Sequence, residues 1–420
     1  MELGTPKHLK YWSRETNPET GAQFELYRDT LMDLGNPDFD LERYLSDDYA
    51  AAQTERLDRR FRFTPDPMGE ECLEYYRSIG LKKEMFDTEN FFTRWVMITP
   101  LELEEGRKYP LIMIFHGGMN TIETEEFSDG FTDNAAAEGY MLMYPQDTRP
   151  ESVLKIFERV KKEYPVDTER VYVTGFSQGG YMARELVAKC PELFAAYAPT
   201  GNDLYRPFDF FNRPYTEEQR VHLKETFVPF LQIVGCNEPN FHVPRYQWKP
   251  RLTMLQDLRA RFPGKYDDVR PGMDFSEEEH GPDVTYPYDE NGKRMPTVHP
   301  APGPGEDIPR WAANRINLRL DLLGCEPRDI DICTGYAENA DTELHKVLGF
   351  YGDKDSILMI RGRKHYVSDI WNRDGIHAFR YVAVDNAPHW PYICWAEIGW
   401  EFFKKFRRDS KTGKIVEKQL

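Results

Sequence analysis

The chain has 420 residues, with 71 acidic against 54 basic side chains, a formal net charge of −17 at pH 7 and an isoelectric point near 5.2. With 40% hydrophobic and 14% aromatic residues it can bury enough apolar surface to offset its ordering entropy, which excludes wholesale disorder. So anionic a surface repels a phosphate backbone, so no nucleic-acid partner is expected. No apolar run approaches the ~18 residues of a membrane span, and MELGTPKHLKYWSRE lacks a basic stretch followed by an apolar one. No membrane association and a cytoplasmic location follow as expectations.

Residues 1–90 carry 20 acidic and 12 basic side chains, and Asp47–Arg62 and Glu70–Tyr76 mix charge and apolar residues at roughly helical spacing. This stretch reads as an acidic helical extension suited to packing or to homo-oligomer formation. From Phe91 the pattern changes. Phe92–Thr99, Leu111–Phe115, Tyr140–Tyr144, Val171–Thr174, Phe194–Pro199 and Val228–Val234 read as strands, and Ser152–Tyr164 and Gly180–Lys189 as helices between them. Such alternation predicts an α/β fold with crossover connections and a mainly parallel central sheet flanked by helices.

Periodicity breaks over residues 239–310, where 12 of the 30 prolines fall between Pro239 and Pro309. Proline fixes φ and removes a donor, so the stretch reads as a lid or cap insertion. Trp311–Leu323, Glu343–Phe350, Ile357–Gly362, Ala378–Val384 and Trp395–Phe406 then restore strand and helix signals. Four segments result: the extension 1–90, a first core part 91–238, the insertion 239–310 and a second core part 311–420. The six cysteines show no CxxC pair and no Cys/His zinc spacing, which predicts reduced core thiols, no metal and no cofactor.

The sharpest motif is VYVTGFSQGG, residues 171–180, which puts G-x-S-x-G between a β-branched strand and a helix. A serine on that turn is pushed out of the sheet top with its Oγ exposed, and the helix below adds free N–H groups and a positive dipole end. Ser177 is therefore the candidate nucleophile; the alternative is a helix cap on a tight turn. LIMIF runs into His116-Gly117-Gly118-Met119, where backbone donors for a developing oxyanion are placed in this architecture. The N–H groups of Gln178 and of Gly118 or Met119 are the candidate donors, with His116 in a positioning role.

Chain order, serine then acid then histidine after the last strand, selects His389 in Asp-Asn-Ala-Pro-His-Trp-Pro as the base among ten histidines. Glu238, three residues beyond Gly235, is the candidate acid, with Asp203 and Asp209 as rivals. Phe241, Tyr246 and Trp248 at the start of the insertion could shape an acyl pocket. His116, Trp248 and Trp390 are the candidate substrate-binding side chains.

Tyr164-Pro-Val-Asp-Thr-Glu-Arg-Val-Tyr-Val-Thr-Gly-Phe-Ser-Gln-Gly-Gly180, then Phe194-Ala-Ala-Tyr-Ala-Pro199, Tyr144-Pro145 and His389-Trp390-Pro391, resemble the polyhydroxybutyrate depolymerase and feruloyl esterase group of α/β-hydrolases. The resemblance covers about Phe91–Asp203 and Leu318–Pro391. It implies an α/β-hydrolase fold, triad roles for Ser177, Glu238 and His389, and hydrolysis of a small-molecule carboxylic ester through an acyl-enzyme. The elbow is also similar to that of prolyl oligopeptidase-type enzymes, so a peptidase remains the alternative, alongside a non-catalytic binding protein on the same fold. A dehydrogenase is disfavoured, because no GxGxxG follows a strand near the start.

Overall fold

The computed structural model describes residues 59, 62, 63, 66–118, 120–201, 215–235, 316–328, 342–348, 350–361, 363–385, 387, 391 and 394–418. Ten strands form one sheet: β1 (Leu81–Phe86), β2 (Trp95–Pro100), β3 (Tyr109–Phe115), β4 (Met141–Pro145), β5 (Val166–Phe176), β6 (Ala196–Thr200), β7 (Phe230–Gly235), β8 (Lys354–Ile360), β9 (Arg363–Trp371) and β10 (His377–Val384). They lie in the order β1-β2-β4-β3-β5-β6-β7-β10-β9-β8. Strands β4, β3, β5, β6, β7 and β10 run parallel, while β1 and β2 at one edge and β9 and β8 at the other are antiparallel.

The local sequences explain the layout. β3 reads YPLIMIF and is buried at every position, as a strand covered on both faces must be. Its side chains alternate: Ile112 and Ile114 enter one core, Leu111, Met113 and Phe115 the other. The helices of the described residues include α1 (Glu70–Ser78), α2 (Ile122–Glu126), α3 (Phe131–Glu138), α4 (Pro150–Glu163), α5 (Gln178–Lys189), α6 (Glu217–Glu225), α7 (Glu343–Leu348) and α8 (Cys394–Phe403). α4 starts with proline at its first position and buries Val153, Phe157 and Val160, one stripe at 3.6-residue spacing. On the opposite face α8 stacks Phe403 on Tyr172 with ring centroids 4.9 Å apart and sets Trp400 against Tyr140 at 4.4 Å.

A hairpin, β11 (Phe406–Arg408) and β12 (Ile415–Glu417), closes the sheet's other end. Its buried Arg408 donates to the carbonyls of Phe194 (2.9 Å) and Phe227 (2.8 Å), in the segments leading into β6 and β7, and to Gly413 (2.7 Å).

Two findings differ from the sequence expectations. Leu81–Phe86 lies in the stretch read as helical but is a strand paired with β2 through all six residues, so the sheet begins before residue 91. Its LKKEMF sequence hides this, because Lys83 points inward to a buried partner. The helix expected at Trp395–Phe406 runs from Cys394 to Phe403, and Phe406 opens a strand instead. The insertion 239–310 and residues 1–58 of the extension lie outside the described residues.

Candidate active site

The parallel register brings four strand ends to one edge. Phe176 pairs with Thr200, Thr200 with Ile233, and Gly235 with Val384. The chain thus leaves β5 at Ser177, β6 at Gly201, β7 towards position 238 and β10 towards position 389 from neighbouring points. This is the edge where α/β sheets bind ligands. Glu238, His389, Met119, Trp248, Trp390 and the rival acids Asp203 and Asp209 lie outside the described residues.

Ser177 joins β5 directly to α5 with φ 52° and ψ −114°, a left-handed conformation for a residue with a side chain. Such backbone costs of order 1–3 kcal/mol and persists only where the surroundings enforce it. Here the Ser177 N–H donates to the Thr200 carbonyl at 2.9 Å, and the Thr200 hydroxyl donates to the Gly175 carbonyl at 3.0 Å. A Cβ on Gly179 would lie 2.1 Å from the Phe115 oxygen, and one on Gly175 would lie 2.6 Å from Gly179 carbonyl atoms. Only glycine at both positions lets strand and helix close over β3.

Gln178 is the first residue of the twelve-residue α5, so its N–H has no intrahelical acceptor. No described residue accepts from it, nor from the Gly118 N–H. The two residues are neighbours: a Cβ on Gly118 would sit 2.9 Å from Gln178 Oε1. Two unclaimed donors beside a serine at a helix N-terminus form an arrangement able to hold a developing negative charge.

The His116 ring lies between two carbonyls, with Nδ1 2.9 Å from that of Gly117 in its own loop and Nε2 2.9 Å from that of Gln146. Sequence reasoning missed Gln146, the residue after β4, whose side-chain amide lies 3.0 Å from His116 Nε2. It also missed the lacing of α2, which is buried at all five positions despite three glutamates. Glu123 pairs with Arg94 at 2.8 Å, and Glu126 with Lys83 at 2.7 Å, the latter pair with both side chains fully buried. Tyr76 also donates to Glu126. Burial raises the Glu126 carboxyl above its ordinary range, with Lys83 opposing. The one available signal was a run of acids, IETEE, directly after a glycine loop.

Strand β9 ties both ends of the β10–α8 connection that contains position 389. Arg363 Nη1 donates to the Asp385 carbonyl at 3.0 Å, and the Asp385 N–H donates to the Lys364 carbonyl at 2.9 Å. At the far end His365 Nε2 lies 3.4 Å from Cys394 Sγ, while Nδ1 lies 3.0 Å from the Arg363 carbonyl. Burial pushes the Cys394 thiol up to about 12 and the His365 imidazole down to about 4. The pair is therefore a neutral thiol donating to a neutral ring, a structural contact and not an activated thiolate.

A groove of about 650 Å³ opens beside Gln178 and runs between α5, α6 and the start of α4, past Met182, Lys189, Glu218 and His222. Among the described residues no group of three His, Cys, Asp or Glu side chains is placed to hold a metal, and no helix is long and apolar enough to cross a membrane.

Parts of the chain are similar to known proteins. Residues 145–219 match the family model of the prolyl oligopeptidase family. A bifunctional acetylxylan esterase/xylanase of Neocallimastix patriciarum is 30% identical over 174 residues, 34% of this chain and 26% of that protein. Poly(3-hydroxyalkanoate) depolymerase C of Paucimonas lemoignei is 27% identical over 119 residues, 23% of this chain and 28% of that protein. The matches thus span little more than a quarter of these relatives. A solved feruloyl esterase module from Clostridium thermocellum is 17% identical with a TM-score of 0.29, covering 37% of this chain and 66% of that one. The partial matches to an acetylxylan esterase and a poly(3-hydroxyalkanoate) depolymerase accord with the expected resemblance to esterases and depolymerases. With the parallel strands in this order and the serine on the turn after β5, the chain is an α/β-hydrolase in fold.

Proposed function

We propose that the protein is a serine hydrolase that cleaves carboxylic esters with a small or aromatic acyl group. The observation that carries this is the strained Ser177 at the start of α5, flanked by the unclaimed N–H groups of Gln178 and Gly118. Ser177 Oγ attacks the ester carbonyl carbon while His389 takes the hydroxyl proton. The carbonyl oxygen, now negative, is held by the two N–H groups. The tetrahedral intermediate expels the alcohol, which leaves with the proton from His389. A water molecule then repeats the sequence on the acyl-enzyme and releases the acid. Glu238 orients His389 and stabilises the imidazolium. The groove beside Gln178 supports a neutral substrate extending along α5, since its walls mix Lys189 with Glu218.

A peptidase is the second reading, favoured by the prolyl oligopeptidase family match at residues 145–219. The test is fluorophosphonate labelling of the wild type, Ser177→Ala and Glu238→Ala, with the labelled peptide mapped. The substrate screen then sets p-nitrophenyl esters against aminoacyl anilides. Labelling at Ser177 with ester turnover that vanishes in Ser177→Ala is the expected result. Anilide turnover exceeding ester turnover would move the reading to a peptidase. A well-folded wild type that neither labels nor turns over would overturn both.

A further inference from the structure

We propose that Gln146 is a positioning residue that aims the Gly118 N–H by choosing the tautomer of His116; the assignment rests on the serine-hydrolase reading. The connection from β3 to α2 carries two glycines with no side chains to anchor it, so its shape must be imposed from outside. Gln146 is buried and reaches both ends. Its Oε1 faces two obligate donors, the Ile122 N–H at 3.2 Å and Arg94 Nη2 at 3.1 Å. That fixes the amide orientation, so Nε2 points at the Asn120 carbonyl (3.4 Å) and at His116 Nε2 (3.0 Å). Glu123 holds the same Arg94 nitrogen at 2.8 Å.

The His116 ring faces a carbonyl from each nitrogen, Gly117 from Nδ1 and Gln146 from Nε2, both at 2.9 Å. A neutral ring has one proton, so it can serve only one of them. The Gln146 amide donating to Nε2 decides the contest: it needs a lone pair there and leaves the proton on Nδ1, where it serves the Gly117 carbonyl. The Asn120 N–H also donates to that oxygen, at 3.2 Å. The Gly117 carbonyl and the Gly118 N–H belong to one planar peptide unit. Two donors on its oxygen therefore fix the direction of its N–H and polarise it further.

Gln146→Leu removes the amide at similar volume. Gln146→Glu keeps an oxygen for Arg94 but replaces the donor at His116 Nε2 with an acceptor. In both, the proton should move to Nε2 and the Gly117 carbonyl should lose its imidazole donor. The expected result is a fall of about 10-fold to 100-fold in kcat and in affinity for a trifluoromethyl ketone that mimics the tetrahedral adduct, because donors act on the developing oxyanion. KM should change by less than about 3-fold, since the ground-state ester uses the loop little. Imidazole 15N shifts should report Nδ1–H for His116 in the wild type and its loss in the variants.

A merely structural role would instead lower thermal stability and raise KM without selective loss of the mimic. An active wild type with either folded variant within 3-fold in kcat overturns the assignment alone, as does an Nε2–H tautomer in the wild type. A wild type that neither turns over nor labels overturns the hydrolase reading and this assignment with it.

Discussion

Ser177 and Gly118 stand on neighbouring turns, but the two turns are held in place by different forces. Around Ser177 the constraint is contact between backbone atoms: Gly175 and Gly179 let β5, α5 and β3 approach so closely that no side chain fits between them. Around Gly118 the constraint is a series of polar side chains drawn from α2 and from the segments flanking β2, β3 and β4, Glu123 to Arg94 to Gln146 to His116. A turn made by exclusion has one conformation and fails completely. A loop held by hydrogen bonds can lose one partner and shift by a fraction of an ångström. Ser177 is thus fixed sterically, while the loop at Gly118 is held by a chain of polar side chains that can adjust.

The largest effect should come from the steric side. In Gly179→Ala the new methyl meets the Phe115 oxygen at 2.1 Å, a backbone atom that cannot move without displacing β3. We expect a loss above about 4 kcal/mol, read as failure to accumulate folded protein or as collapse of the thermal transition. Survival with a wild-type melting temperature would show that the turn can relax.

On the electrostatic side, Lys83→Met leaves the Glu126 carboxylate buried beside Tyr76 without its cation. Denaturant unfolding should show a loss of about 3–5 kcal/mol. The double variant Lys83→Met/Glu126→Gln should recover most of it, because no charge then stays buried. If the two single losses simply add, the pair is not a unit and α2 is held by something else.

The smallest effect concerns His365, on the strand that ties the β10–α8 connection. His365 has its pKa lowered by burial to about 4, against about 6.5 in an unfolded chain. Between these values the unfolded state binds more protons, so stability rises with pH and is lost as pH falls from 6.5 towards 4. The loss should approach about 3 kcal/mol at the low end. His365→Gln should flatten that part of the stability profile. An unchanged slope would assign the acid sensitivity to His377, the other histidine buried among the described residues, whose pKa burial also lowers.

The same contrast explains what the sequence revealed. The turn at Ser177 was legible because steric exclusion leaves a local signature, glycine two residues either side of serine. The central strands were legible in continuous apolar runs such as LIMIF, which only a strand covered on both faces tolerates. Gln146, Arg94 and Glu123 left no such mark, since a hydrogen bond between residues 52 apart is silent in either residue's neighbourhood. Glu126 reads as a solvated charge until Lys83, on a strand 43 residues earlier, supplies its partner. Leu81–Phe86 was hidden for the same reason: a strand with Lys-Lys-Glu at its centre carries no period-2 apolar signal.

The Arg408 guanidinium has a consequence for the order of assembly. It caps three carbonyls, two of them 214 and 181 residues upstream, so the approaches to β6 and β7 lack a bonding partner until nearly the whole described chain exists. At a ribosome adding about 5–20 residues per second, the strands beside Ser177 wait on the order of ten seconds or more for that clamp. The central strands are made early but finished late. Closing so long a loop places this step among the slow events of folding.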